Sequence, residues 1–301
     1  MRLRVLYCDQ HEIPLPCGHK FPIGKYRLLS ERLAATGLFD LQLAPFATIE
    51  AIQLTHDSVY VQSFFDGSIA PAAMRRIGFP WSPGLVNRTL ATGGSTLCSA
   101  RTALECGIAG GLAGGTHHAF HSEGAGFCVF NDVAIAIRAL ERERAISRAA
   151  IIDLDVHQGD GTAAIFSGDP NIFTFSMHGA KNFPFRKQPS VIDIELADGT
   201  GDGEYLDRLS KILPRIWEFR PDIIFFQAGV DPLATDRLGR LALTHRGLCE
   251  RDRLVISQAR DRAIPLVIML GGGYSEPLEA TVEAHANTFL IASESRAPVL
   301  G

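Results

Sequence analysis

The chain has no long apolar run, no block of like charge and no closely spaced cysteine pair, and each absence removes a class of protein. Its longest apolar stretch, Ala263 to Leu270, falls far short of the roughly 18 residues that a spanning helix requires. Two arginines near the N-terminus have no adequate apolar segment behind them, so no signal peptide is expected. Basic residues number 29 against 33 acidic ones, a net charge of −4, and no run of either sign suits a nucleic-acid or anionic-lipid tail. Six scattered cysteines without a CxxC are expected of thiols in a reducing compartment, not of a disulfide framework. Linkers, repeats and low-complexity segments are also missing. The expectation is a cytoplasmic protein with neither a membrane nor a nucleic-acid partner. It should fold as one domain over residues 1–301, with its core at about 3–293.

Glycine is what the chain has in excess: 29 of 301 residues, against roughly 7% on average. Seven fall between Gly107 and Gly126, three form Gly271-Gly272-Gly273, and others flank Asp160 and Asp202. Each costs backbone entropy, so clustering implies tight turns, positive φ or backbone that closely approaches something.

Between the glycine clusters, short apolar runs alternate with helical periodicity. The runs predict strands at Leu3–Tyr7, Leu41–Pro45, Ala150–Leu154, Ile172–Ser176, Val191–Glu195, Asp222–Gln227 and Pro265–Leu270. Several are apolar on both faces, as a covered parallel sheet requires. Helical periodicity predicts helices at Lys25–Thr36, Ser95–Gly107, Asn131–Arg144, Glu204–Phe219, Thr244–Ala263 and Pro277–Ile291. The alternation predicts an α/β fold, a three-layer α/β/α domain around an open, mainly parallel sheet. Ligands of such sheets bind beyond the carboxyl ends of the strands. Polar residues recur there: Asp153, Asp155 and His157 after one run, Asp231 after another, and Gly271-Gly-Gly-Tyr274 after a third.

Asp153, Asp155 and His157 are spaced by two, so an extended chain points them to one side. Two carboxylates beside an imidazole are costly to bury without a positive charge. A divalent cation supplies it, because these groups suit zinc and its neighbours; a solvated strand end is the plain alternative. In Gly114-Gly-Thr-His-His-Ala-Phe-His121, the adjacent His117 and His118 are candidate general acid–base groups if acids elsewhere couple to them. His121 has no partner in view and reads as structural or loop-exposed. Tyr274, on a flexible glycine turn, is either a packed tyrosine or a donor to a developing oxyanion. Asp231 reads as a helix N-cap or as a third ligand.

Taken in order, these segments resemble the histone deacetylase superfamily of arginase/deacetylase fold. The shared pattern is HH at His117-His118, GFCxFND at Gly126–Asp132, DxDxHxGDG at Asp153–Gly161, AGxDxxxxD at Ala228–Asp236 and GGGY at Gly271–Tyr274. His19-Lys-Phe-Pro-Ile-Gly-Lys-Tyr26 and Asp231-Pro-Leu-Ala-Thr-Asp-Arg-Leu-Gly239 match the class IV branch and its bacterial relatives. The resemblance implies that Asp155, His157 and Asp231 hold a catalytic metal, and that Asp153 pairs instead with His117. Asp160 matches the acid paired with His118, which with Tyr274 completes the implied catalytic set. Asp153, Asp155, His157, Ser176 and Met177 match a structural monovalent-cation site, usually potassium. Gly126, Phe127, Leu238 and Gly272 match substrate-binding positions, with Cys128 beneath them; the opposite aromatic wall falls to Phe183 or Phe185.

The implied activity is metal-dependent hydrolysis of an amide, with Zn2+ as the metal and Fe2+ also fitting the Asp–His–Asp set. It removes an acetyl or longer acyl group from a lysine side chain of a peptide or protein, or from a small acylated amine such as an acetylpolyamine. An arginase-type binuclear manganese enzyme would need a second carboxylate-rich ligand set, and only the HH pair stands where it should be. A non-catalytic acyl-lysine binder is disfavoured by the intact Asp155, His157, Asp231, His118 and Tyr274. Acyl length and oligomeric state are not encoded in these motifs.

Overall fold

A computed structural model describes residues 2–294; the remaining ends of the expected 1–301 span lie outside the described residues. Among the described residues are eight strands: β1 (Leu3–Tyr7), β2 (Phe39–Leu43), β3 (Ile108–Gly111), β4 (Ala149–Asp153), β5 (Ile172–Gly179), β6 (Ile192–Leu196), β7 (Ile223–Gln227) and β8 (Leu266–Met269). They form one sheet in the order β2-β1-β3-β8-β7-β4-β5-β6, with every pairing parallel. The helices are α1 (Gly24–Thr36), α2 (Ile49–Gln53), α3 (Ser58–Phe65), α4 (Pro71–Ile77), α5 (Pro83–Cys106), α6 (Asp132–Arg142), α7 (Asp160–Ile165), α8 (Asp202–Glu218), α9 (His245–Asp261) and α10 (Leu278–Glu294).

The period-two alternation of the central strands decides which helices cover which face. Ile152, Ile224, Phe226 and Ile268 join a core with Leu29 and Leu33 of α1, Leu209 and Leu213 of α8, Val255 of α9 and Phe289 of α10. Their neighbours Ile151, Ile223, Phe225 and Val267 pack on the other face against Leu97 and Ala100 of α5 and Val133 and Ile137 of α6. Strands apolar on both faces are what a parallel sheet buried between two helical layers demands. The predicted α/β class and open parallel sheet are what the structure contains.

The sequence expectations fail locally for identifiable reasons. The second strand runs Phe39–Leu43, not Leu41–Pro45, since it pairs from Leu3↔Phe39 onward with β1. β3 was not anticipated: Ile-Ala-Gly-Gly lacks the β-branched and aromatic character that marks strands. α5 begins at Pro83, where Ser82 accepts from the Leu85 amide, and not at Ser95. The pair Gly93-Gly94 breaks the helical pattern there, yet Gly94 is needed. A Cβ on it would lie 1.9 Å from the Pro45 carbonyl oxygen. Helices α2, α3 and α4 lie outside the predicted helices, and they build a satellite core of Ile52, Val61, Phe64, Met74 and Ile77. That cluster supports the site, because the Ile77 carbonyl accepts from Phe127 N at 2.7 Å and the Arg76 carbonyl from Gly126 N at 3.2 Å.

Candidate active site

Strands β3, β8, β7 and β4 are adjacent at the middle of the sheet, and the polypeptide leaving each carries polar residues to one crevice. β3 leads to His117 and His118, β8 to Gly271–Tyr274, β7 to Asp231, and β4 to Asp155 and His157. Most of these groups line a cavity of about 470 Å³. The sheet brings together what the sequence scatters over more than 150 residues, as expected where strand order reverses.

Asp155, His157 and Asp231 offer ligand atoms within 4.8 Å of one another. His157 Nδ1 lies 3.0 Å from Asp155 Oδ1 and 3.1 Å from Asp231 Oδ2. The amide of Gly272 donates to Asp155 Oδ2 at 2.6 Å, and that of Val156 donates to Asp231 Oδ1 at 2.9 Å. Burial and the neighbouring Asp155 charge push the Asp231 carboxyl up to about 7. Burial also acts against Asp155, but His117 and His157 outweigh it and hold that carboxyl well below its ordinary range. One imidazole shared between two buried acids leaves carboxylate lone pairs to spare. That donor set fits a divalent cation.

Asp153 goes elsewhere. The prediction that Asp153, Asp155 and His157 share one side fails because β4 ends at Asp153, and period-two geometry ends with it. Asp153 Oδ2 instead meets His117 Nδ1 at 2.7 Å, while its Oδ1 accepts from the Asp155 amide at 3.1 Å. His118 Nδ1 lies 2.7 Å from Asp160 Oδ1. The two imidazoles stand 4.1 Å apart, centroid to centroid, and their environments drive them in opposite directions. Burial lowers His117, but the Asp153 and Asp155 carboxylates overcome it and raise the ring to about 9. Burial and the His117 charge lower His118 to about 4. A divergent pair of this kind separates proton-accepting from charge-bearing roles.

Tyr274 is 9% exposed, and its amide donates to Asp236 Oδ2 at 2.6 Å, so it is held where a flexible turn was expected. The glycines before it serve close approach. A Cβ on Gly272 would fall 1.9 Å from Asp231 Oδ2 and 2.9 Å from Asp155 Oδ2. Burial, reinforced by Asp155 and Asp231, raises the phenol well above its ordinary value, so it stays protonated as a donor.

Gly126, Phe127, Cys128, Leu238 and Gly272 all line the cavity. Both Phe183 and Phe185 do so too, but Phe183 sets its ring 4.8 Å from His118, whereas Phe185 is 87% exposed. Ser176 is the register partner of Asp153; of the expected monovalent-cation set, Asp153 ends β4, Asp155 and His157 follow it, and Ser176 and Met177 lie within the neighbouring β5. The Ser176 hydroxyl itself is 2.9 Å from His178 Nδ1. His121 is exposed, with Nδ1 2.6 Å from the Thr55 carbonyl oxygen, a structural contact.

Three supporting residues escaped the sequence reading. The Asp132 carboxylate accepts from Gly115 N, Thr116 N and the hydroxyls of Thr96 and Thr116, which fixes the loop entering His117. Asp236 accepts from the amides of Leu238, Gly239 and Tyr274 and ties two cavity walls together. Lys25 is fully buried, with Nζ 3.4 Å from the carbonyl oxygens of Gly271 and Gly273. Burial lowers this amine to about 8 against the pull of Asp231, Asp155 and Asp236. All three lie inside the quoted motifs, and that is their one available signal in the sequence.

The charged side chains lining the cavity differ with depth. Arg76, Lys181 and Arg240 have side chains 52%, 73% and 54% exposed, whereas Arg88 and the carboxylates Asp132 and Asp155 are buried. Arg76 pairs with Glu123 at 3.0 Å, and Lys181 and Arg240 share Asp198 at 3.7 and 3.2 Å.

Comparison with known proteins identifies the family and the fold. A sequence model of the histone deacetylase domain matches residues 19–289. An uncharacterized protein of Picosynechococcus sp. (strain PCC 7002) is 44% identical over 95% of this chain and 97% of its own length. A probable deacetylase of Archaeoglobus fulgidus is 32% identical, covering 81% of this chain and 73% of its own. Among solved structures, an acetylpolyamine aminohydrolase from Burkholderia pseudomallei superposes with a TM-score of 0.80 over 98% of this chain and all of that one. It is 19% identical, so the likeness is one of fold.

Proposed function

The chain belongs to the histone deacetylase domain family, and on that footing we propose that it is a zinc-dependent amidohydrolase removing acyl groups from lysine side chains. The observation that carries the reading is the convergence, on one cavity, of the Asp155–His157–Asp231 donor set, a neutral imidazole at His118 and a protonated phenol at Tyr274. A divalent metal, when bound there, supplies the Lewis acidity that activates a hydrolytic water and polarises the acyl carbonyl. The chain's own residues do the rest. His118 has Nδ1 committed to Asp160, which leaves Nε2 to take a proton from the water and return it to the amine nitrogen as the C–N bond breaks. His117, held cationic by Asp153, provides fixed positive charge beside it. Tyr274 donates its hydroxyl proton in a hydrogen bond to the carbonyl oxygen as negative charge develops. The products are a carboxylic acid and a free amine.

Phe127 and Phe183 are assigned as facing walls of the tunnel, with Gly126, Leu238 and Gly272 completing its lining. The monovalent cation stays part of the proposal, at Asp153, Asp155, His157, Ser176 and Met177. The mouth favours acyl-lysine over an acetylpolyamine, because a polyamine's remaining ammonium groups would emerge beside Arg76, Lys181 and Arg240, which exceed their carboxylate partners Glu123 and Asp198 by one charge. The test is a panel of acetyl-, butyryl- and myristoyl-lysine peptides against acetylated polyamines. Higher kcat/KM on at least one lysine peptide supports the assignment, and faster turnover of every polyamine over every peptide rejects it.

A further inference from the structure

Outside the cavity, α9 drives a buried ion pair against the backbone just beyond the two strands that deliver the candidate metal ligands. Arg251 is fully buried and Asp252 is 1% exposed. Arg251 Nε donates to Asp252 Oδ1 at 2.8 Å, and Nη2 lies 2.8 Å from the same oxygen. Nη1 donates to the Gly229 carbonyl at 2.5 Å and reaches the Leu154 carbonyl at 3.5 Å. The other carboxylate oxygen of Asp252 accepts from the Thr288 hydroxyl of α10 at 2.7 Å. Leu154 immediately precedes Asp155, and Gly229 stands two residues before Asp231. Gly229 also packs directly on Asp155, since a Cβ there would lie 2.6 Å from Asp155 Oδ2.

Stability does not explain such a pair. Burying a guanidinium and a carboxylate is expensive, and apolar residues of similar volume are often as stable. What an apolar replacement cannot do is hold two carbonyls, on the segments leaving two adjacent strands, at a set separation. Outer groups that orient ligands are worth 10–100-fold in metal affinity.

We propose that Arg251 and Asp252 are a positioning pair that fixes the spacing between Asp155 and Asp231 and thereby sets the divalent-cation affinity of the site. This rests on the metal-site reading above. The test titrates the metal-stripped full chain with Co2+, followed by visible absorption and by competition with a chelator, beside thermal melts of the stripped protein. Arg251→Lys keeps the charge but loses the fork, and should weaken Co2+ binding about 10–100-fold with an altered absorption band. Thr288→Val, which removes one bond to Asp252, should shift affinity in the same direction by less. Should Arg251→Lys not fold, Thr288→Val decides. Folded variants that bind Co2+ within twofold of wild type, with an unchanged band, overturn the inference whatever their melting temperatures. Wild-type protein that takes up no Co2+ overturns the metal reading itself.

Discussion

Replacing Gly272 with alanine adds one methyl group at the most crowded point of the site. The new Cβ would lie 1.9 Å from Asp231 Oδ2, 2.7 Å from its Cγ and 2.9 Å from Asp155 Oδ2. Ordinary contact needs more than 3 Å, so the Asp231 carboxylate must retreat by about 1 Å or the Gly271–Tyr274 segment must lift by as much. The Gly272 amide bond to Asp155 Oδ2, at 2.6 Å, resists the second course. Overpacking of this size destabilises by about 1–3 kcal/mol. Metal ligands tolerate only about 0.2 Å of misplacement, so affinity should fall at least about tenfold, and turnover should fall with it. Gly272 lies outside the left-handed φ region, unlike Gly271, so the effect is steric and not backbone strain. The assay is Zn2+ affinity by chelator competition, with a thermal melt as control. A folded Gly272→Ala protein with wild-type affinity would show that Asp231 is not a ligand held at this spot.

Further outcomes follow from the same geometry. Tyr274→Phe should leave metal content intact and cut turnover on the order of 10²-fold; undiminished turnover removes the oxyanion role. Reversing the mouth charge with Lys181→Glu and Arg240→Glu together should raise kcat/KM on acetylpolyamines relative to acyl-lysine peptides by at least about threefold at low salt. An unchanged ratio means that the mouth does not select. His56 uses both ring nitrogens, Nδ1 on the Phe120 carbonyl and Nε2 on the Asn131 amide, and burial lowers it to about 4 from 6.5. The unfolded chain therefore protonates first, and stability is lost as pH falls from 6.5 toward 4, on the order of 3 kcal/mol. Urea melts at pH 7 and 4.5 should show His56→Gln losing less than wild type; equal losses contradict the assignment.

The sheet was legible because strands buried on both faces must be apolar throughout, and Ala150–Asp153, Ile223–Gln227 and Leu266–Met269 are nearly so. β3 was not, since its packing needs small residues that carry no strand signal. Spacing alone grouped Asp153 with Asp155 and His157, because local periodicity cannot reveal that the strand stops at Asp153 and that His117 waits there. The glycine excess signalled crowding correctly but suggested mobility at Tyr274, where the structure has a buried side chain and a backbone amide held by Asp236. Arg251 was invisible as a site residue: it acts on the main-chain carbonyls of Gly229 and Leu154, and it lies outside every quoted motif.

Asp155, His157 and Asp231 are proposed to make the chain's amidase activity metal-dependent. This is tested by stripping the purified protein with a chelator and measuring release of free lysine side chains from an ε-acyl-lysine peptide as Zn2+ is added back. Turnover should be lost on stripping and recover fully near one equivalent of metal per chain. Turnover that survives stripping unchanged would contradict the proposed dependence.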